Sequence, residues 1–474
     1  MQTQQRMIVR FGKRWQRIAI CLILVVMAVP WVQSSPPAQA SGAQRPPRVP
    51  APLPTAHPIP TEGNAAFPSE ALAAATSFCQ GETGNWSSSS SSFSVFSSCT
   101  LTLPTSSMVF LKASASVGLV SGGGYEALFA FGLNGTEVAH PRRWVDVATD
   151  TGDGADTGLA LSRMLLLPSG IHTVGLIGAL SHGTGPAYAS DPAFSAVVVP
   201  TRPGWTSCSS PSLNSWSTTA TQLETVTSCT LTVATTSTLY LDGNASVGLP
   251  TAGTNYEGLF QLSVDGGDLA SPQRKVNIYT NSNNGTDKSL AISRSVTVGP
   301  GTHTIGLRGR LSSGAGPLKL YFPSLSALAL PDQGGVARCS ATGATWSTST
   351  PTYTVLSACS LTLTTTSTVY VGADASLGLS SGGADYEGLL ALGANTNPLL
   401  ATRRRINIAT DAGDGTDLPA SLSHLLTMGP GTHTFQLLGT LSSQGGPAKA
   451  TDATISAFVV GRPDIKAYLP LVRK

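Results

Sequence analysis

The chain has 474 residues, of which only 11% are charged, with 28 Lys and Arg against 25 Asp and Glu. A typical soluble domain carries about 25% charged residues, and exposed helices need many of them, so this composition argues against an all-α fold. The abundance of Ser, Thr, Gly and Val favours β-structure whose outer faces are polar but uncharged.

Residues 1–40 have the pattern of a secretory signal peptide. Five basic residues and no acid lie within the first 17 positions, an apolar run follows at 18–32, and Ala38 and Ala40 form a small-residue cleavage pattern. The apolar run is shorter than the ~20 residues that a membrane-spanning helix needs. We therefore expect cleavage after Ala40 and no stable membrane span in the mature chain. An uncleaved anchor is the alternative.

Cleavage would leave 23 basic and 25 acidic residues. Since nucleic acid requires clustered Lys and Arg, a nucleic-acid partner is not expected. Residues 41–76 are rich in proline and predict an extended linker, either a semi-rigid spacer or a leader with no task. The mature protein is expected to be secreted, as an extracellular or cell-surface protein.

Three tandem copies of one unit follow the linker. Trp86, Trp216 and Trp346 are 130 residues apart, and other short motifs recur in step with them. A period of this length suits whole domains rather than the units of a solenoid. The predicted organisation is repeat 1 at 77–200, repeat 2 at 206–331, repeat 3 at 337–461 and a C-terminal tail at 462–474.

Within each copy, apolar and polar residues alternate with a period of two. Cys229, Leu231 and Val233 share one face of a segment whose other face carries threonines. Short alternating segments separated by Gly, Asn, Asp and Pro indicate antiparallel strands. The prediction is an all-β protein of three tandem antiparallel β-sandwich domains, jelly-roll-like, with about eight to ten strands each.

Two segments carry a family resemblance: Pro300-Gly-Thr-His-Thr-Ile-Gly-Leu and Pro430-Gly-Thr-His-Thr-Phe-Gln-Leu, each followed by an apolar end strand. Over about half of each copy, the chain resembles bacterial C1q/TNF-like jelly-roll modules. Such modules commonly assemble as trimers, so the resemblance implies an intrachain pseudo-trimer, with the copies packed around a pseudo-threefold axis. An immunoglobulin-like sandwich and a beads-on-a-string arrangement stay open as alternatives.

Six cysteines lie outside the signal peptide, two in each copy at matched positions. Because a repeated unit should close its own bridge, we predict the disulfides Cys79–Cys99, Cys208–Cys229 and Cys339–Cys359. The alternative is a zinc site, which needs four ligands, and no copy places two more Cys or His nearby.

Acidic loops in two copies are candidates for calcium binding. Clustered carboxylates on a glycine-bent backbone could supply oxygens to this cation, and they are Asp150, Asp153 and Asp156 in copy one and Asp411, Asp414 and Asp417 in copy three. Copy two has mostly asparagine there. Asp, Asn and Gly are also typical of plain turns between strands, so both interpretations stay open. A calcium titration that leaves the melting temperature unchanged would exclude the metal site.

Two more sets of polar residues recur in all three copies. Histidines that share strand parity with aliphatic residues are predicted to point inward and form hydrogen bonds: His172, His303 and His433. Glutamates and arginines are predicted to form internal ion pairs that bridge two strands: Glu126, Glu257 and Glu387 with Arg143, Arg274 and Arg404. No second acid recurs beside the glutamate, as paired-carboxylate glycoside hydrolysis would require.

A catalytic role is not expected. Ser380 lies in a G-x-S-x-G match that the other copies lack, and that motif needs the strand-turn-helix setting of an α/β sheet. We expect a non-catalytic protein for adhesion, for binding a surface glycan or protein, or for surface structure. The alternative is a carbohydrate-binding appendage or a secreted hydrolase. Trp144 and Trp205, which lack counterparts in the other copies, are the only hints of that alternative, and both are expected to fill local gaps.

Overall fold

The computed structural model describes most of the three repeats, and all described residues belong to one compact unit. The segments predicted to be a signal peptide, a linker and a C-terminal tail lie outside the described residues. No α-helix occurs within the described ranges, which are 78–81, 84–118, 124–147, 157–183, 185–199, 204–211, 215–248, 256–278, 287–314, 316–332, 336–378, 386–408, 418–443 and 446–461.

Repeat 1 is an antiparallel sandwich of two sheets. Its strands are β1 (Phe78–Gln80), β2 (Trp86–Ser88), β3 (Ser94–Leu103), β4 (Ser107–Val117), β5 (Tyr125–Leu133), β6 (Thr136–Val147), β7 (Thr157–Leu167), β8 (Gly170–Gly183) and β9 (Ala187–Val198). The five-stranded sheet has the order β1-β9-β4-β7, with β2 also pairing with β9, and the four-stranded sheet has the order β3-β8-β5-β6. Chain segments that cross repeatedly between two such sheets define a jelly roll, as the alternating pattern predicted.

Repeat 2 has the same topology. Its strands are β10 (Thr206–Pro211), β11 (Trp216–Thr218), β12 (Glu224–Val233), β13 (Ser237–Gly248), β14 (Tyr256–Val264), β15 (Gly267–Ile278), β16 (Lys288–Val298), β17 (Gly301–Gly314) and β18 (Leu318–Pro331). The five-stranded sheet has the order β10-β18-β13-β16, with β11 also pairing with β18, and the four-stranded sheet has the order β12-β17-β14-β15.

Repeat 3 repeats this arrangement once more. Its strands are β19 (Arg338–Thr342), β20 (Trp346–Thr348), β21 (Thr354–Leu363), β22 (Ser367–Leu377), β23 (Tyr386–Ala394), β24 (Asn397–Ile408), β25 (Leu418–Met428), β26 (Gly431–Ser443) and β27 (Ala448–Gly461). The sheets are β19-β27-β22-β25, with β20 also pairing with β27, and β21-β26-β23-β24. The described strands of the three repeats therefore share one jelly-roll topology.

Local sequence sets the turn that joins β5 to β6. Asn134 and Gly135 have φ angles of 50° and 79°, the left-handed pair that a two-residue hairpin needs because its twist matches that of the flanking strands. Asp265 and Gly266 repeat this geometry in repeat 2, with φ angles of 53° and 77°. The Asn-Gly and Asp-Gly pairs therefore fix the register of these hairpins.

The recurring tryptophan fills each sandwich over a glycine. Trp86 is 6% exposed and packs against Phe96 and Phe129, at centroid distances of 5.2 and 5.7 Å. A Cβ atom on Gly178 would approach the Trp86 ring to 2.8 Å, and one on Gly439 would approach the Trp346 ring equally closely, at 2.8 Å. The indole and the glycine therefore form one packing unit.

The three predicted disulfides are present, and each closes within its own repeat: Cys79–Cys99, Cys208–Cys229 and Cys339–Cys359. The first joins β1 to β3, so it links an edge strand of each sheet. Disulfides are typical of an oxidising, extracellular environment. In the part of the chain that is described, no helix has the length and apolarity needed to cross a membrane.

Candidate functional site

A fourth apolar cluster lies between the repeats rather than inside one of them. On β4, Leu111 points into the sandwich of repeat 1, whereas its neighbour Phe110 points away from it. Every buried member of this central cluster is at most 6% exposed: Phe110, Met164, Val197, Val199, Tyr240, Leu328, Leu330, Tyr370, Phe458 and Val460. The five-stranded sheets of all three repeats are therefore buried against one another.

Three aromatic rings form the middle of the central cluster. Phe110, Tyr240 and Tyr370 occupy equivalent positions in the three repeats, and their centroids are 5.9, 6.0 and 5.7 Å apart. All three pairs meet edge to face, the geometry that aromatic quadrupoles prefer. The two tyrosine hydroxyls lie 3.3 Å from each other.

A charged group lies beside the aromatic rings, and we call it the central polar site: Lys112, Asp242 and Asp374. Lys112 Nζ is 2.5 Å from Asp242 Oδ2 and 3.8 Å from Asp374 Oδ1. It also donates a hydrogen bond to Tyr240 Oη at 3.3 Å. Each of the three charged residues comes from a different repeat, and each is at most 3% exposed.

Burial and the neighbouring charges act together at this site. Burial alone would lower the pKa of Lys112, but the carboxylates of Asp242 and Asp374 outweigh it and hold that pKa above its ordinary value. Burial raises the pKa of Asp242, and the lysine opposes that rise. The pKa values of Lys112 and Asp242 are therefore both raised, which favours retention of protons by these two groups.

Arginine side chains link each repeat to the next. Arg143 Nη1 of repeat 1 donates to Phe322 O of repeat 2 at 3.0 Å, and Arg274 Nη1 of repeat 2 donates to Asp452 O of repeat 3 at 2.8 Å. Arg404 Nη1 of repeat 3 donates back to the carbonyl of Asp191 in repeat 1. The three contacts form a closed cycle of arginine anchors, each at most 1% exposed.

The carbonyls that accept these bonds share an unusual backbone. Asp191, Phe322 and Asp452 occupy equivalent positions and have φ angles of 49°, 49° and 50°. The strands that carry them shift register against their partners at this point, which is the geometry of a β-bulge. Each bulge turns a carbonyl out of the ladder, where the guanidinium of the preceding repeat in the cycle binds it.

The predicted ion pairs between these arginines and the recurring glutamates are wrong. Glu257 is paired with Lys275, at 3.3 Å, and Glu387 with Arg405, at 3.6 Å. Successive residues of a strand point to opposite faces, so the residue after the arginine, rather than the arginine itself, shares a face with the glutamate. In repeat 1, Glu126 instead accepts a hydrogen bond from Ser181 Oγ at 2.7 Å.

The six aspartates predicted to bind calcium, from Asp150 to Asp156 and from Asp411 to Asp417, lie outside the described residues, and that site stays a prediction. Their counterpart in repeat 2, Asp287, lies beside two acids of repeat 1. One carboxylate oxygen from each of Glu126, Asp146 and Asp287 falls within 4.8 Å of the others. The backbone N–H of Asp146 donates to Asp287 O at 3.1 Å, so this acidic cluster is also part of the contact between repeats 1 and 2.

The recurring histidines are hydrogen-bonded, as predicted, but they lie at the rim of each sandwich. His303 Nε2 is 2.9 Å from Gly299 O, and its Nδ1 is 2.8 Å from Asp265 Oδ2. The hydrogen bond to Asp265 raises the pKa of His303, and the same bond lowers the pKa of Asp265. His172 and His433 bond the equivalent carbonyls, in the turns that join β7 to β8 and β25 to β26. All three histidines therefore brace a turn.

The two copy-specific tryptophans pack between repeats. Trp144 meets Tyr321 edge to face at 5.4 Å and Phe322 at 5.1 Å, both across the contact between repeats 1 and 2. Trp205 packs against the central cluster. The local gaps that these residues fill are thus junctions between domains. Ser380 of the G-x-S-x-G match lies outside the described residues.

Repeat 1 has an open, shallow pocket of about 390 Å³ on its four-stranded sheet. It is lined by Ser89, Ser91, Leu180, Ser181, His182 and Gly183. Ser181 is the residue that donates to Glu126. Its serine hydroxyls and the His182 imidazole are polar groups of the kind that orient a small ligand.

No protein-family model matches the chain, and no curated protein matches it. Among solved structures it is similar to PNGF-II, with 8% identity and a TM-score of 0.22 over 75% of this chain and 98% of that one. It is similar to latent PorU from Porphyromonas gingivalis, with 9% identity and a TM-score of 0.20 over 72% of this chain and 33% of that one. A third similarity is to T=1 particles derived from infectious bursal virus, with 9% identity and a TM-score of 0.18 over 86% of this chain and 83% of that one. At these values the similarities assign neither a family nor a function.

Proposed function

We propose that the protein is a secreted or cell-surface protein without catalytic activity, which presents three equivalent faces for adhesion or ligand binding. The cycle of arginine anchors is the observation that carries this proposal. The arginines extend from edge strands of the four-stranded sheets, β6, β15 and β24, to the next repeat, while the five-stranded sheets pack in the central cluster. The threonine-bearing edges of the four-stranded sheets stay exposed. A rigid body with three outward faces suits multivalent contact with a surface.

The proposed arrangement is a pseudo-threefold assembly within one chain. Equivalent positions of the three repeats meet in the central cluster, and the arginine contacts run from repeat 1 to 2, from 2 to 3 and from 3 to 1. Both observations support three-way packing over separate beads. Small-angle scattering of residues 41–474 tests it, because an elongated profile would exclude the compact arrangement.

The outward sheets carry rows of hydroxyl groups. Thr232 Oγ1 and Thr302 Oγ1 lie 2.9 Å apart on repeat 2, and Thr362 Oγ1 and Thr432 Oγ1 lie 2.9 Å apart on repeat 3. Exposed, uncharged hydroxyls suit a glycan or a polar protein surface as partner. Three weak sites on one rigid body gain effective concentration and therefore avidity.

A glycan array, followed by binding to intact cells, tests this function on the mature protein. The matched variants are Thr232→Glu, on an outward sheet, and Lys449→Glu, on a five-stranded sheet. Binding that Thr232→Glu weakens and Lys449→Glu preserves would support the outward faces as the binding surface. A blank on both glycans and cells would remove the adhesive function and leave a structural one, and turnover of a bound glycan would refute the absence of catalysis.

The second candidate is a carbohydrate-binding appendage, which the shallow pocket of repeat 1 favours. Its volume of about 390 Å³ falls in the range of small-ligand sites. Here one site, not three, would carry the affinity. His182→Ala should then abolish glycan binding that Thr232→Glu leaves intact, whereas the multivalent proposal expects the two variants to have comparable, partial effects.

A further inference from the structure

The central polar site brings an amine and a carboxyl group of different repeats into direct contact in a dry environment. Lys112 Nζ and Asp242 Oδ2 are separated by 2.5 Å, and the two residues are 2% and 3% exposed. The aromatic rings of Tyr240 and Tyr370 adjoin the pair. The amine becomes a nucleophile once it passes a proton to the carboxylate beside it, and water has little access to this pair of groups.

Asp374 supplies a second carboxyl group at the same point. It is 0% exposed, its Oδ1 lies 3.8 Å from Lys112 Nζ, and its Oδ2 accepts a hydrogen bond from Ser293 Oγ. Among the described residues, Oδ1 has no hydrogen-bond partner. A buried carboxylate oxygen without a donor is costly, and this oxygen lies 3.8 Å from the Lys112 amine. Asp374 is thus placed to exchange protons with the reacting pair.

We propose that Lys112 and Asp242 condense into an intramolecular isopeptide bond that joins repeat 1 to repeat 2, with Asp374 as the acid–base group. The amine of Lys112 and the carboxylic acid of Asp242 form one amide and release one water molecule. No oxidant, reductant or other co-reactant takes part, and Asp374 ends in the protonation state in which it began.

The reaction consists of one nucleophilic attack and a series of proton transfers, and its atoms and charges balance. Lys112 passes a proton along its short hydrogen bond to the carboxylate of Asp242, which leaves a neutral amine beside a neutral acid. The nitrogen lone pair attacks the carboxyl carbon while Asp374 protonates the carbonyl oxygen. The Asp374 carboxylate then removes a proton from nitrogen and delivers it to one of the two hydroxyl groups, so that the C–O bond breaks and this oxygen leaves as water. The remaining hydroxyl gives its proton to the Asp374 carboxylate as the amide carbonyl forms.

Burial explains why condensation is favoured here. An ion pair removed from water pays a large desolvation penalty that its Coulombic attraction does not always recover. An amide carries no net charge, so the reaction removes both buried charges. The released water leaves for bulk solvent, and the apolar surroundings oppose its return for hydrolysis.

The residues at equivalent positions differ between the repeats, so the site can form only once in the chain. The counterparts of Lys112 are Asp242 in repeat 2 and Gly372 in repeat 3, and the counterparts of Asp374 are Ser114 and Asn244. The amine, the electrophile and the acid each come from a different repeat. The structure therefore assigns one cross-link, with repeat 3 contributing the group that promotes it.

Intact-mass spectrometry of the mature, secreted wild-type protein tests the proposal. With all three disulfides accounted for, the expected mass is lower than the sequence mass by one water molecule. Lys112→Met should have its full sequence mass. Asp374→Asn should also have its full mass, and it is a mild replacement because asparagine already occupies the equivalent position in repeat 2.

Tryptic digestion of the denatured, reduced protein gives an independent result. Trypsin cleaves after a free lysine but not after an acylated one, so the wild type should yield a branched peptide that contains uncut Lys112 bonded to Asp242. A wild-type protein of full mass, cut after Lys112, would overturn the proposal whether or not any variant folds. A cross-link that persists in Asp374→Asn would overturn the role of Asp374.

Discussion

Replacement of Arg404 by alanine should weaken the contact between repeats 3 and 1 more than any exposed substitution nearby. Arg404 Nη2 donates to Ser114 O at 3.0 Å and to Ser114 Oγ at 2.7 Å, and Nη1 donates to the carbonyl of Asp191. The arginine is 1% exposed. Its removal therefore leaves acceptors of repeat 1 buried without this donor.

The expected magnitude follows from two opposing contributions. A hydrogen bond from a charged donor contributes about 1.5–3 kcal/mol, and three such bonds cross from Arg404 to repeat 1. Desolvation of the guanidinium opposes them, and burial accordingly lowers the pKa of Arg404 to about 10. Loss of one partner from a buried charged contact typically costs about 3–5 kcal/mol, and we expect a decrease of this size in the free energy of unfolding.

Urea unfolding of Arg404→Ala beside Arg405→Ala is the assay. The Arg405 side chain is 49% exposed and lies 3.6 Å from Glu387, so its replacement should cost about 0–1 kcal/mol, as for other surface ion pairs. The two variants differ by one position on the same strand, which makes the comparison direct. If their losses agree within about 0.5 kcal/mol, the anchor interpretation is refuted.

Three further predictions concern single repeats. The hydrogen bond that His303 donates to Asp265 raises the pKa of His303, so its stabilisation is complete below the unfolded pKa of 6.5 and is lost as the pH rises through the raised value. Asp265→Asn should lower the NMR titration midpoint of His303, and an unchanged midpoint would contradict this. Burial lowers the pKa of His424 to about 4 from 6.5, so the unfolded chain binds the extra proton and stability should fall as the pH drops between those values. His424→Gln should reduce that fall in urea titrations across the range, and an equally steep fall would show that other groups cause it. Replacement of both Cys208 and Cys229 by alanine should cost about 3 kcal/mol, because their bridge restricts the unfolded chain; a loss below about 1 kcal/mol in the same assay would count against this role.

Features encoded by neighbouring residues were predictable from the sequence. Cys229, Leu231 and Val233 alternate with threonines, which fixes a strand and its inward face. The same repeat period that aligns the tryptophans also aligns the cysteines, so the disulfide pairings followed. These signals are local in sequence or recur at a fixed distance.

Contacts between repeats were harder to predict because both faces of the strands involved are buried. Along β4, nearly every residue is buried, so the apolar pattern does not distinguish Leu111, inside the sandwich, from Phe110, at the central cluster. Lys112 in the middle of this apolar strand was the available signal of a second buried face. Its partner Asp242 is 130 residues away in sequence, and no local pattern connects them.

The wrong pairing of glutamate with arginine has a similar origin. Recurrence in all three copies shows that Arg274 is reused, but not on which face its side chain lies. Lys275, not Arg274, lies on the same face of the sheet as Glu257, so the alternation of side chains along the strand would have predicted Lys275 as the partner. The true acceptor, the carbonyl of Asp452, is a backbone group of another repeat, and the residue type at a bulge gives little indication of it.

Fusion of three modules into one polypeptide frees the centre of the molecule from symmetry. A ring of identical subunits places identical side chains on its rotation axis, so a lysine there would face two other lysines, and an aspartate two other aspartates. In this chain the counterpart of Lys112 in repeat 2 is Asp242, and the lysine meets the carboxyl groups of Asp242 and Asp374. Three repeats within one chain can therefore carry complementary groups at a point where a homotrimer would carry identical ones.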